Sequence, residues 1–224
     1  AFLLGWAGYL MYIDMVARRE KQLNMGEANA FFVYEEANII FGGLASGAML
    51  MGMSFLYGMT GSLDFGSIAA MLALKSANQV TLFISVALVL VGLGFKVAAV
   101  PFHMWCPDVY EGAPIAVTAF LSVGPKAAGF ALLLRLFHTT NIAEGELSML
   151  WPGLIAAISV ATMLVGNLSA LWQDNLKRLM AYSSIAHAGY LLMAVVLINT
   201  ASMTAIVFYL FAYLLMNFGA FMII

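Results

Sequence analysis

Val80 to Phe95 reads VTLFISVALVLVGLGF and carries no charged residue. Stretches of this kind recur along the chain, and they constrain the fold more than any other feature. About 20 apolar residues in helical form cross the hydrocarbon core of a bilayer. Apolar runs of that length without period-two alternation are helices, because lipid offers no partner to an unpaired backbone group. Only 9% of the 224 residues are charged and 64% are hydrophobic, against roughly 25% charged in soluble domains. A water-soluble fold would have almost no surface. The expected class is therefore all-α, a polytopic transmembrane helix bundle treated as one domain over 1–224.

Seven spans are expected, at about 1–17, 37–58, 79–104, 114–137, 149–171, 179–198 and 201–224. The segment 25–36, MGEANAFFVYEE, is polar enough to lie at the interface. Ala1 and Ile224 both fall inside apolar runs, so the chain reads as an internal portion of a longer protein. The opening AFLLGWAGYLMYI has no basic n-region and reads as a span or part of one. Arg18, Arg19, Lys21, Lys177 and Arg178 fall in the first and fifth connections, against Lys75 and Arg135 on the other side. By the positive-inside rule the first, third and fifth connections face the cytoplasm. Gly43 and Gly47 have GxxxG spacing and read as a packing face. The sixteen Met read as adaptable apolar filler.

A single cysteine, Cys106, cannot build a disulfide framework or an iron–sulfur site. No CxxC, HExxH or P-loop pattern occurs, and GLG at 92–94 lies inside a span. No redox cofactor is expected in this chain. The net charge of −2 gives no reason to expect nucleic acid.

The charges inside apolar runs are the candidates for function. Lys126, in AFLSVGPKAAGF, lies mid-span, where a lysine costs about 2.5–3.5 kcal/mol on insertion scales. Pro125 before it leaves the carbonyl of Leu121 without a helical donor, and a protonated Lys126 or a water can meet that carbonyl. Lys96 is shallower, roughly 13 Å from the expected span end at 1.5 Å per residue. Pro101 frees the carbonyl of Val97 in the same way. Pro101 and Pro125 are thus the candidate helix breaks, and a broken helix beside a lysine is how membrane proteins line an ion path. His187, in AYSSIAHAGYLL, sits on another span. Lysines removed from water lose and regain protons near neutral pH, so Lys96, Lys126 and His187 form a candidate proton relay. His103, Asp108 and Glu111 are candidates for its cytoplasmic mouth. Each has a plainer reading: snorkelling for Lys96, a carbonyl-bonded neutral imidazole for His187, helix capping for Asp108 and Glu111, interfacial placement for His103 and His138, and topology charges for Lys177 and Arg178.

FKVAAVPFHMWCPDVYEGAP (95–114) closely resembles subunit N of bacterial NADH:quinone oxidoreductase, respiratory complex I, and its plastid and mitochondrial relatives. GNLSALWQDNLKRLMAYSSIAHAGY (166–190) is a second match, and LYGMTGSLDF (56–65) a weaker third. The resemblance implies an antiporter-like membrane subunit built from two inverted repeats, each with a broken helix, in a bacterial inner membrane. It implies that Lys96 and Lys126 are the family's proton-carrying lysines and His187 its motif histidine. It also implies partner membrane subunits, with NADH, FMN, iron–sulfur clusters and quinone held elsewhere in the complex. The chain then belongs to a translocase but performs no redox chemistry itself. The family's glutamate partner of the first lysine has no clear counterpart; Asp14 lies too near the basic loop. A cation/proton antiporter or membrane-bound hydrogenase subunit, or a structural membrane scaffold without an ion path, are the alternative readings.

Overall fold

The structure, a computed structural model, describes residues 25–73, 78–140, 150–197 and 199–224, with side chains over 39–72, 78–138, 151–197 and 199–224. All regular structure there is helical: α1 (Met25–Thr60), α2 (Phe65–Ala73), α3 (Gln79–Val97), α4 (Trp105–Gly112), α5 (Ile115–Thr140), α6 (Leu150–Ala170), α7 (Leu176–Leu197) and α8 (Thr200–Ile223). Six of these, α1, α3, α5, α6, α7 and α8, are long and apolar enough to cross a membrane. The expected span at 1–17 lies outside the described residues, as do Asp14, the first basic loop and Lys75. The outward face of α8, with Val207, Phe208, Phe211 and Leu215, is exposed and apolar, as a lipid-facing surface requires.

Helix ends follow local chemistry. Asn78 caps α3, its Oδ1 accepting from the Val80 and Thr81 nitrogens at 3.0 and 3.5 Å. Asn199 and Ser202 form a capping box on α8. Asp64 begins α2 by accepting from the Ser67 nitrogen at 2.9 Å, and that bond holds its carboxyl below the usual carboxylate range. The short α2 lies between the expected spans at 37–58 and 79–104, and the Asp64–Ser67 spacing is its sequence signal. The segment 25–36 is not a separate interfacial piece but continues into α1. Its Ala, Glu and Met are good helix formers, and no Gly or Pro interrupts them after Gly26.

Two pairs of helices approach most closely, α6 with α7 and α1 with α3. On α1 the close contact is not at Gly43 and Gly47, which face open space, but at Gly52. A Cβ at Gly52 would stand 2.5 Å from the Ser85 carbonyl oxygen, and one at Gly92 would stand 2.5 Å from the Met49 Cβ. GxxxG spacing names a possible face; which side of α1 meets α3 is set by the whole helix.

The expected span at 79–104 stops early. Helix α3 ends at Val97, Ala98 adopts the left-handed conformation (φ 59°, ψ 44°), and 98–104 is not helical. The Ala99 nitrogen bonds the Gly94 carbonyl at 2.8 Å and the Ala98 nitrogen bonds Phe95 at 3.2 Å, the pairing of a Schellman end. Pro101, joined to Val100 by a cis bond, lies within the break rather than in a kinked helix. The break is satisfied from inside the protein. Thr162 Oγ1 on α6 accepts from the Val100 nitrogen at 3.0 Å, and the Trp105 indole donates to the Phe95 carbonyl at 2.9 Å. The chain then re-forms as α4, read from sequence as a loop. Pro107 sits in its first turn, where no helical donor is needed, and Cys106, Pro107 and Tyr110 are buried.

Ala98 carries the left-handed end without a glycine, which costs about 1–2 kcal/mol for an L-residue. Ala98→Gly is expected to leave thermal unfolding of the full-length protein unchanged or raise it slightly. Ala98→Val, with a branched side chain at a wholly buried site, is expected to lower it by several degrees. Differential scanning fluorimetry of the detergent-solubilised protein decides; equal effects of both changes would contradict the strain assigned to Ala98.

Candidate proton-transfer site

Lys126 lies on α5 and is 2% exposed. Its ammonium does not turn back to the Leu121 carbonyl. It crosses to α7, donating to the Ser184 carbonyl at 2.7 Å and to the Ser184 hydroxyl. Pro125 does not break α5, which runs without interruption from Ile115 to Thr140. One missing bond in a long buried helix is a local loss that its neighbours carry. The small turn around Gly129 lets α5 approach the end of α3, where a Cβ at Gly129 would lie 2.7 Å from Val97 Cγ1.

Ser184 is the centre of the cluster. The Tyr110 hydroxyl, from α4, lies 3.2 Å from its Oγ. Tyr110 and Cys106 are completely buried, and the Cys106 thiol points to the Ala181 carbonyl at 4.0 Å. One turn along α7, His187 Nδ1 lies 2.5 Å from the Tyr209 hydroxyl. The His187 ring is also set among Tyr190 and Tyr213, with centroids at 5.7 and 5.1 Å. Tyr213 is buried beside Ser184 and Asn217, and its hydroxyl makes no well-formed hydrogen bond among the described residues. Tyr190 extends the polar line to Asn167 on α6 at 2.9 Å.

The Lys126 amine thus meets α7 at Ser184, three residues before His187, close enough for the two to interact electrostatically. Lys96 is elsewhere. It occupies the last turn of α3, is exposed, and makes no hydrogen bond among the described residues. Asp108 and Glu111 lie together on α4, both bonded to Arg178 Nη1 on α7, at 3.0 and 2.9 Å. His103 stands in the turn before the other end of α4, and its buried Nδ1 makes no well-formed hydrogen bond among the described residues. Tyr110, Ser184, Tyr209 and Tyr213 were not singled out from sequence. Ser184 had a signal: it stands three residues before His187, on the same helix face.

The architecture is that of a polytopic helical membrane protein with an interrupted helix and a buried lysine on a hydroxyl-rich seam. The chain belongs to the NADH:quinone oxidoreductase/Mrp antiporter membrane family, whose model matches residues 1–224. NADH-quinone oxidoreductase subunit N of Anaeromyxobacter sp. (strain Fw109-5) is 50% identical over 203 residues, covering 83% of this chain and 39% of that protein. Among solved structures, respiratory complex I from Thermus thermophilus with bound aureothin matches with a TM-score of 0.67 and 40% identity, over 82% of this chain and 38% of its own. The Mrp complex from Dietzia sp. matches with a TM-score of 0.73 and 26% identity, over 83% of this chain and 33% of its own. The chain spans about two fifths of the length of the curated relatives it matches.

Proposed function

We propose that the chain is part of subunit N of a bacterial NADH:quinone oxidoreductase and carries protons through buried side chains. The observation that carries this reading is Lys126, an amine at 2% exposure inside an apolar helix, hydrogen-bonded across to Ser184. A lysine at such a site is costly and is kept where ions move. Lys126 takes and releases the proton. His187, one turn along α7 from its hydroxyl partner, is the next station, with Tyr209 on its ring nitrogen. Lys96 supplies the amine at the break, next to the turn that begins at Ala98. In this reading Asp108 and Glu111 lie at the cytoplasmic end, with the connections between α3 and α5 and between α6 and α7 on that face.

Electron transfer belongs to partner subunits carrying NADH, FMN, iron–sulfur clusters and quinone. The immediate partners are other membrane subunits, the bilayer and protons. A cation/proton antiporter subunit is the second reading, favoured by the likeness to the Mrp complex; the relatives named subunit N are far closer in sequence, at 50% against 26% identity. The deciding measurement is proton pumping by vesicles that hold the complex assembled with full-length Lys126→Ala protein. Pumping at the normal rate would overturn the reading.

A further inference from the structure

The two cations at the start of α7 are in the wrong place for their own helix. Lys177 and Arg178 occupy its first turn, where the helix dipole disfavours positive charge. Their bonds explain them. Arg178 Nη1 donates to Asp108 Oδ1 at 3.0 Å and to Glu111 Oε2 at 2.9 Å. Lys177 Nζ donates to the Glu111 and Ala113 carbonyls at 3.3 and 3.1 Å, at the end of α4 where a cation is favoured. Asn175 caps α7 through Oδ1 to the Lys177 nitrogen at 2.9 Å and donates Nδ2 to Glu111 Oε1 at 3.0 Å. Arg178, Lys177 and Asn175 each donate to α4 or its end.

Helix α4 needs such a hold. It is eight residues long and follows a non-helical break. Its main packing partner is α7, with a lesser contact to α1. On its buried side the only side-chain hydroxyl it offers to α7 is that of Tyr110, which meets the same Ser184 that receives Lys126.

We infer that Arg178, with Asp108 and Glu111, is a positioning clasp for the lysine site: it fixes α4 on α7 so that Tyr110 holds the Ser184 hydroxyl in place for Lys126. The inference rests on the proton-carrying role of Lys126. The groups that face Lys126 and its Ser184 partner are Cys106 and Tyr110 from α4, His187 from α7 and Tyr213 from α8; Lys96 is exposed on α3. Arg178 faces Asp108, Glu111 and Tyr182. Arg178 therefore reaches the lysine only through α4 or along α7, and the two routes are separable.

The experiment uses the full-length protein in its assembled complex in vesicles, with Arg178→Gln, Tyr110→Phe, both together, Arg178→Lys, and Lys126→Ala as reference. The readout is proton-coupled quinone reduction against pH. Each single change is expected to slow turnover by about 5-fold and displace the pH–rate profile in the same direction, and the double change to do no more than either, because residues acting through one contact do not add. Arg178→Lys is expected to restore part of the rate. If Arg178→Gln blocks assembly, the pair Asp108→Ala and Glu111→Ala removes the same bonds from the other helix. Additive effects would overturn the inference, as would a normal profile in Arg178→Gln. Either result beside an inactive Lys126→Ala leaves the proton-carrying role intact, whereas an active Lys126→Ala removes that role and the clasp's purpose with it.

Discussion

Replacing Lys126 by Ala in the full-length protein is expected to reduce proton pumping at least ~10-fold while the complex still assembles, since a positioned proton-transferring group contributes about 10²–10⁴-fold. The expectation rests on where the amine is. At 2% exposure it is shielded from bulk water, and its partners are the Ser184 carbonyl at 2.7 Å and the Ser184 hydroxyl. Alanine removes the amine that the cluster of Ser184, Tyr110, His187 and Tyr213 surrounds. Lys126→Arg is the sharper companion. A guanidinium keeps the charge and the hydrogen bonds but does not give up its proton. If position 126 exchanges protons, the arginine variant assembles and fails to pump. If the position only needs a positive charge, arginine pumps normally and the exchange mechanism is wrong. Lys126→Met, which preserves most of the volume, separates the loss of the amine from the loss of packing.

Gly166→Val is expected to have the largest effect on folding. A Cβ at Gly166 would stand 2.5 Å from the Ala186 nitrogen and 2.8 Å from its Cα, both backbone atoms that cannot swing aside. Gly189 makes the reciprocal approach, with Met163 and the Ser159 carbonyl against it, and the Ser159 hydroxyl donates to the Gly189 carbonyl at 2.7 Å. Forcing the helices apart breaks that bond and opens the most extensive helix–helix interface among the described residues. Overpacking alone costs about 1–3 kcal/mol, and the lost close contact adds to it. The variant is expected to fall out of the assembled complex, measured as yield of intact complex on a native gel. Gly47→Val, on the open side of α1, is the matched control and is expected to assemble normally. Equal loss in both would mean that glycine on these helices acts through flexibility rather than through contact.

The class of fold could be read from the sequence because lipid leaves so few choices. Long uncharged runs must be helices, and six of the expected ranges hold helices that can span. The failures came where tertiary contacts decide. Residues 79–104 look like one apolar span, yet the helix ends at Val97 because Thr162 and Trp105 supply partners for the released backbone. Pro125 looks like a break, yet α5 continues because its surroundings hold it. Lys126 stood out through its cost in lipid. Tyr110 and Ser184 did not, because a hydroxyl in an apolar helix is unremarkable until its partner is known, and those partners lie 58 and 74 positions apart along the chain. Arg178 was read as a topology charge; nothing local to LKRLM points to Asp108 and Glu111.

The bond from Val100 to Thr162 has a mechanical consequence. Thr162 is on α6, and α6 is fastened along its length to α7. The start of the interrupted segment is therefore pinned to α6, and its re-formed helix is pinned to α7 through Ser184 and Arg178. Everything from Val100 to Ala113 rides on one two-helix strut. Helix α3, with Lys96 in its last turn, joins that strut through the turn at Ala98 and Ala99 and through the bond from the Trp105 indole to the Phe95 carbonyl. Lys96 and the serine that receives Lys126 thus sit on opposite sides of the break, Lys96 on α3 and Ser184 on the strut.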